Sequence, residues 1–121
     1  MTPEFQGRWR PLYAELNGEQ APMEVLQQTV VELQDGRYAV RFGHFVADEG
    51  TYALEAGGDA THRHVTLHGT NGPNAGRAIP CLYKFIEDTL MICYGLGGTR
   101  PSSFGTKPDS ELYLVTYQRK P

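Results

Sequence analysis

The sequence predicts an all-β fold, most simply an eight-stranded antiparallel up-and-down barrel. Turn-forming residues recur along the 121-residue chain at intervals of roughly 8–15 residues, as they do in β-sandwiches and β-barrels. The segments between them alternate apolar and polar side chains, which is typical of half-buried strands. A barrel leaves no free sheet edge, so we favour it over a β-sandwich, the structural alternative. The length suits a single domain spanning residues 1–121.

The dipeptide Asp35-Gly36 predicts a hairpin and the register of its two strands. A two-residue loop at this dipeptide sets three pairs opposite one another on one face: Leu33 with Tyr38, Val31 with Val40, and Thr29 with Phe42. The other face is mostly polar and carries Val30, Glu32, Gln34, Arg37, Ala39 and Arg41. One apolar and one polar face is the pattern of antiparallel strands that cover a core.

A second hairpin turns at Glu87-Asp88. Its register sets three apolar pairs on the face expected to point inward: Phe85 with Leu90, Tyr83 with Ile92, and Cys81 with Tyr94. Cys81 and Cys93 then point to opposite faces, which excludes a disulfide between them. A one-residue shift of the turn would instead set them nearly opposite. We favour free thiols, which fit a reducing compartment.

The remaining elements follow from composition. Residues 7–16 are expected to form the first strand, with Pro11 at an edge or bulge because proline has no N–H to donate. Further strands are expected at 51–55, 62–68 and 111–119. Turns are expected at 17–18, 48–50, 57–59, 71–73 and 95–98, where glycine, asparagine and aspartate cluster. Only residues 21–28 have a helical composition, and that segment is short.

Gly7-Arg8-Trp9 resembles the Gly-x-Trp signature of lipocalins and other calycins. The chain is more closely similar to a small lipocalin-like domain family of unknown function that is abundant in planctomycete bacteria. The matching segments are Phe5-Gln6-Gly7-Arg8-Trp9, Gly36-Arg37-Tyr38, Glu49-Gly50-Thr51-Tyr52, Leu82-Tyr83, Asp88-Thr89-Leu90-Met91-Ile92-Cys93, Arg100-Pro101 with Phe104, and Arg119.

This resemblance implies a lipocalin-like β-barrel without an established activity. It also implies that Gly7, Trp9 and Arg119 close one end of the barrel: the indole plugs the end and the basic side chain packs over it. A guanidinium stacked on an indole is a favourable cation–π pair. Members of the family often follow an export or lipoprotein signal.

Charge and hydropathy exclude several classes of protein. The net charge of −3 argues against a nucleic-acid binder, and no apolar run approaches the length of a membrane span. The first four residues lack the features of a signal peptide. We therefore expect a cytoplasmic protein, or an exported one if a leader has been removed.

Candidate ligand-binding residues are aromatic side chains on inward faces and the glycine-rich loop that follows. We expect Tyr38, Tyr52, Tyr83 and Tyr94 to line a small amphipathic pocket, with Arg100 binding an anion and Phe104 acting as a lid. The alternative is an aromatic core. The loop would then fold over the barrel end, with Arg100 paired to a carboxylate or a carbonyl.

Catalytic and metal-binding patterns are weak. His62, His64 and His68 share one strand face with Thr66, opposite the apolar Val65 and Leu67. They are therefore expected to face water. His62 and His64 are the weak metal candidates, and no carboxylate or cysteine follows at a ligand spacing. We expect no catalytic residue and no cofactor.

Three functions remain open at this point. The first is binding of a small apolar or amphipathic molecule at the barrel mouth. The second is a protein-interaction module, such as an inhibitor or neutraliser, that uses the 95–110 loop and the outer barrel face; the negative charge would favour a basic partner. The third is an enzyme or metal protein that uses His62 and His64.

Overall fold

A computed structural model describes residues 3–120 and has the architecture of a closed antiparallel barrel. After a 3₁₀ turn at Pro3–Phe5 come β1 (Gly7–Leu16), β2 (Glu19–Gln20), α1 (Met23–Gln27), β3 (Thr29–Gln34), β4 (Arg37–Phe42), β5 (Phe45–Asp59), β6 (His62–Asn71), β7 (Ala78–Ile86), β8 (Thr89–Gly95) and β9 (Leu112–Arg119). Strands β1 and β3–β9 pair in order, and β1 also pairs with β9, which closes the sheet. The predicted eight-stranded up-and-down barrel is confirmed; the sandwich is not the fold.

Both predicted hairpin registers are confirmed. Leu33 pairs with Tyr38 across β3 and β4, and Tyr83 pairs with Ile92 across β7 and β8. The second register sets Cys81 and Cys93 on opposite faces, and both are free thiols. Two-residue loops leave no freedom in pairing, so these elements could be derived from local sequence.

Strand β5 differs from the prediction. The turns expected at 48–50 and 57–59 lie inside this strand. Gly50 is buried, and any Cβ at this position would collide with the carbonyl oxygen of His68 and would lie 2.7 Å from the Tyr38 ring. Gly58 lies at a register shift in the pairing with β6, where a Cβ would collide with the His62 carbonyl. These glycines permit close packing between strands; they do not reverse the chain.

Strand β1 is irregular where Pro11 interrupts it. Its register against β9 shifts between Pro11 and Tyr13, as expected for a proline at a bulge. Strand β1 pairs with β3 only through residues 7–9. The short helix α1 packs against β1, and its Leu26 is buried in the core. Tertiary packing must stabilise this helix, because five residues are too few to be helical alone.

One end of the barrel is closed by Trp9 and Arg119. Trp9 is 1% exposed, and its indole nitrogen donates a hydrogen bond to the Phe5 carbonyl at 3.2 Å. Arg119 pairs with Trp9 across β1 and β9, and its guanidinium carbon lies 4.3 Å from the indole ring. The guanidinium also donates to the carbonyls of Gln6 at 2.6 Å and Glu4 at 2.7 Å. The contact expected between these side chains is therefore present.

Gly7 has a specific role in this closure. Its φ of +135° is one that other residues rarely adopt, and a Cβ at this position would collide with the Arg119 guanidinium. Glycine thus lets the chain pass directly beneath the arginine. This contact accounts for the glycine of the Gly-x-Trp motif in this chain.

We predict that Trp9→Ala lowers the free energy of unfolding by about 3–5 kcal/mol, because it empties a fully buried aromatic site. Urea denaturation measures the change. Leu12→Ala, on the same strand at a position 42% exposed, is the control and should lower it by less than about 1 kcal/mol. An equally small loss for Trp9→Ala would show that the indole does not close the barrel.

We predict that Gly50→Ala lowers the free energy of unfolding by about 1–3 kcal/mol, as overpacked core substitutions do. The new methyl group would push against the Tyr38 ring and the backbone of β6. Gly105→Ala is the matched control, since a Cβ there meets no atom within 4 Å. Equal stability of the two variants in urea denaturation would contradict the close packing at Gly50.

Candidate functional site

A cavity with a volume of ≈ 130 Å³ lies inside the barrel. Its wall is mainly apolar, and the aliphatic part of that wall comes from Val31, Leu33, Val40, Val65, Leu67, Ile79, Ile92, Leu96 and Val115. A dry apolar cavity of roughly 150 Å³ can admit a benzene molecule. The barrel interior therefore has room for one small ring or a short alkyl chain.

The cavity extends toward the barrel end opposite Trp9. Asn74 and Leu96 line it, and both belong to connections that leave the barrel at that end. We call this end the mouth; the segments that form it are 17–28, 43–44, 72–77 and 96–111. Phe5, from the closed end, also contributes to the wall. The cavity thus lies between the closed end and the mouth.

The four tyrosines predicted to line a pocket divide into two pairs. Tyr38 and Tyr94 line the cavity. Tyr52 and Tyr83 are not part of its wall and pack against Phe5, with ring centroids 5.1 Å and 4.9 Å from the Phe5 ring. All four lie on the inward face, but only two lie at the height of the cavity. The prediction that all four tyrosines line one pocket is therefore right for Tyr38 and Tyr94 and wrong for Tyr52 and Tyr83.

Two further tyrosines line the cavity beside Tyr94. The hydroxyl oxygens of Tyr94 and Tyr117 are 2.6 Å apart, and the Tyr113 ring lies 5.5 Å from that of Tyr94. Burial raises the pKa of both Tyr94 and Tyr117, so the pair is neutral at physiological pH. One hydroxyl donates to the other, which leaves one O–H for another acceptor. The apolar wall therefore includes a neutral polar group.

Asp48 is the one charged side chain among the described residues that line the cavity. Its Oδ2 accepts hydrogen bonds from the Tyr38 hydroxyl at 3.2 Å and from Asn74 Nδ2 at 2.9 Å. Its Oδ1 accepts a longer bond from the Asn74 backbone N–H at 3.4 Å. Burial and the negative charge of Asp48 raise the pKa of Tyr38. The carboxylate thus joins the cavity wall to the 72–77 connection at the mouth.

Sequence reasoning missed Asp48 and assigned it to a turn. The signal that could have located it is alternation: Asp48, Gly50, Tyr52 and Leu54 follow at intervals of two on one face of β5. Asp48 pairs with Val40, whose side chain also lines the cavity. Extending the strand toward its N-terminus would have placed a carboxylate on the inward face.

Arg100 lies on the outer face of the barrel and is not part of the cavity wall. Its Nη1 donates to the carbonyls of Val65 at 3.1 Å and Cys81 at 2.7 Å. Its Nη2 forms an ion pair with Glu55 at 2.6 Å and donates to Thr66 Oγ1 at 2.9 Å. The expectation of an anion-binding arginine is therefore replaced by the alternative, in which carboxylate and carbonyl groups are its partners.

Phe104 also lies on the outer face. Its ring centroid is 5.5 Å from that of His62, and the Lys84 ammonium lies 4.5 Å from the ring centroid. The 96–111 connection that carries it packs along the outside of the barrel, and the thiol of Cys93 lies 3.9 Å from the Gly105 carbonyl. Phe104 is consequently not a lid over the mouth.

The histidines and cysteines are the remaining candidates for metal binding or catalysis. His62 Nδ1 lies 3.6 Å from an Asp59 oxygen and 2.9 Å from the Thr61 hydroxyl. Between residues 3 and 120, no group of three or more His, Cys, Asp and Glu residues is placed to hold a metal. Burial raises the pKa of the Cys81 and Cys93 thiols, and protonated thiols are poor nucleophiles. The helices described in this range are also too short and polar to cross a membrane.

We predict that Arg100→Ala loosens the 96–111 connection and exposes Cys93. The variant loses four hydrogen bonds from a charged donor, each of which typically contributes about 1.5–3 kcal/mol. Labelling of Cys93 by a thiol reagent should become at least about tenfold faster through local opening, as followed by peptide mass analysis. Lys107→Ala, at an exposed position of the same connection, should leave the rate unchanged. Equal rates in both variants would contradict the anchoring role.

Comparison with known proteins yields no match. No protein-family model matches the chain, and no curated protein or solved structure is significantly similar to it. Membership of a lipocalin-like family therefore stays a prediction, and function must be argued from the geometry of the cavity.

Proposed function

We propose that this barrel binds a small apolar or amphipathic molecule in its cavity. The observation that carries the proposal is an apolar space of ≈ 130 Å³ in the barrel interior, between the closed end and the mouth. Small ligands bind in concave, mainly apolar pockets that contain a few oriented polar groups. Here the polar groups come from Tyr38, Asp48, Asn74 and the Tyr94–Tyr117 pair.

The energetics of packing support the proposal. Residual cavity volume destabilises a protein by about 24 cal/mol per Å³, so a space of ≈ 130 Å³ corresponds to roughly 3 kcal/mol. A ligand that fills the space restores the missing dispersion contacts. Binding to the native state alone would also raise the free energy of unfolding in proportion to the logarithm of ligand concentration.

The shape of the interior limits what the ligand can be. The closed end is filled by Trp9, Phe5, Tyr52 and Tyr83, so a long chain cannot pass through the barrel. A ligand would place one ring or a short alkyl group in the cavity. Any larger part must extend through the mouth, near Asp48 and Asn74.

We predict that benzyl alcohol, a neutral probe of this size, binds in the cavity. A titration followed by amide and methyl chemical shifts should perturb residues deep in the wall, such as Val65, Ile92 and Val115. Val40→Phe adds bulk to the cavity wall and should weaken binding by at least about tenfold. Ala39→Phe places the same ring on the opposite face of β4 and should leave the affinity unchanged.

If the wall residues stay unperturbed by millimolar benzyl alcohol and by charged probes of the same size, the ligand-binding proposal is wrong. The alternative proposal, a protein-interaction module that uses the 95–110 loop and the outer face, would then remain.

A further inference from the structure

This inference rests on the proposed function and names the chemical class of the ligand. We propose that the cavity selects a small protonated amine, whose ammonium group binds the Asp48 carboxylate while its apolar part occupies the cavity. The carboxylate, the neutral hydrogen-bond donors around it and the aliphatic wall behind it carry the argument.

The cavity wall carries a negative charge. Among its described residues, Asp48 alone carries a formal charge. The arginine that the sequence suggested for an anionic ligand lies outside the barrel, bound to Glu55 and to carbonyl groups. An anionic ligand would therefore meet a like charge at Asp48 and no cation in the wall.

The hydrogen-bond donors to Asp48 are all neutral. They are the hydroxyl of Tyr38 and the side-chain and backbone N–H groups of Asn74. The ion pairs formed by described residues involve Glu32, Asp59 and Glu55, and none includes Asp48. A carboxylate offers about four lone-pair positions, and an opposite charge stabilises it more than neutral donors do. An ammonium group would supply that charge.

Asp48 lies nearer the mouth than the aliphatic wall does. It is half-buried and is held by the 72–77 connection at the mouth. The aliphatic side chains of Val31, Val65 and Val115 lie deeper in the wall. A ligand with an ammonium at one end and a ring at the other would match this order. The charged end would stay near water, and the apolar end would be buried.

A purely structural role for Asp48 makes a different prediction. If the carboxylate only anchors the 72–77 connection to Tyr38, the cavity would accept a neutral ring and its amine analogue equally well. Discrimination between two probes of equal size therefore separates ligand selection from loop anchoring.

The test compares benzylamine, which is protonated at neutral pH, with benzyl alcohol and benzoate in chemical-shift titrations of the wild-type protein. A hydrogen bond to a charged partner favours the amine by about tenfold or more over the alcohol. Benzoate should bind least. The amine should also shift the Asn74 side-chain amide more than the alcohol does, because Nδ2 shares the Asp48 carboxylate.

Two variants provide the matched comparison. Asp48→Asn keeps the shape of the side chain and should remove the preference for the amine, so that the variant binds benzylamine and benzyl alcohol with affinities that differ by less than about twofold. Glu49→Gln removes the same unit of charge from the next residue, whose side chain contacts Asn71 outside the cavity. It should keep the preference, so a general effect of net charge is excluded.

The titrations test the amine inference and the proposed function separately. Equal affinities for benzylamine and benzyl alcohol in the wild type would overturn the amine inference and leave the proposed function intact. Absence of binding by every probe would overturn the proposed function itself. Should Asp48→Asn fail to fold, the order of the three wild-type affinities together with the Asn74 shift still decides the matter.

Discussion

The pairing of β1 with β9 is the constraint on which the rest of this structure depends. It closes the sheet and so gives every strand one face inside and one face outside. The same register sets Arg119 opposite Trp9, where the guanidinium covers the indole and binds the carbonyls of the 3₁₀ turn. The pairing of β1 with β9 thus closes both the sheet and one end of the barrel.

With one end sealed, the size of the inward side chains divides the interior into two parts. Phe5, Tyr52 and Tyr83 fill the half nearest Trp9 with aromatic rings. Toward the mouth, valine, leucine and isoleucine side chains share the wall with tyrosines, and a space remains there. The polar groups lie in this half: the hydroxyl pair of Tyr94 and Tyr117, and the carboxylate of Asp48. A pocket with one apolar part and one charged group therefore follows from the distribution of residue sizes along the barrel.

The outer face holds most of the longest connection, which leaves the barrel at the mouth and then follows the outside of the sheet. Arg100 binds two carbonyls of β6 and β7 and the carboxylate of Glu55, which holds the 96–111 connection along the outside of the sheet. Thr66 and Cys93 face outward and are buried. This connection extends the packed structure beyond the barrel interior and reaches the cavity through Leu96, as the 72–77 connection does through Asn74.

The sequence by itself determined the all-β class, the registers of two hairpins and the free thiols. These features depend on neighbours along the chain, because a two-residue turn sets pairing directly. The residues at the closed end were indicated only by the resemblance to lipocalins, because their contact depends on the pairing of β1 with β9. Only the tertiary structure decided which inward tyrosines line the cavity, since their height depends on the stagger of distant strands. It also decided that Asp48 points inward, because β5 continues through a segment rich in turn-forming residues, and Gly50 is needed there to accommodate Tyr38. The partners of Arg100 come from strands that lie far away in sequence, and no local pattern contains that information.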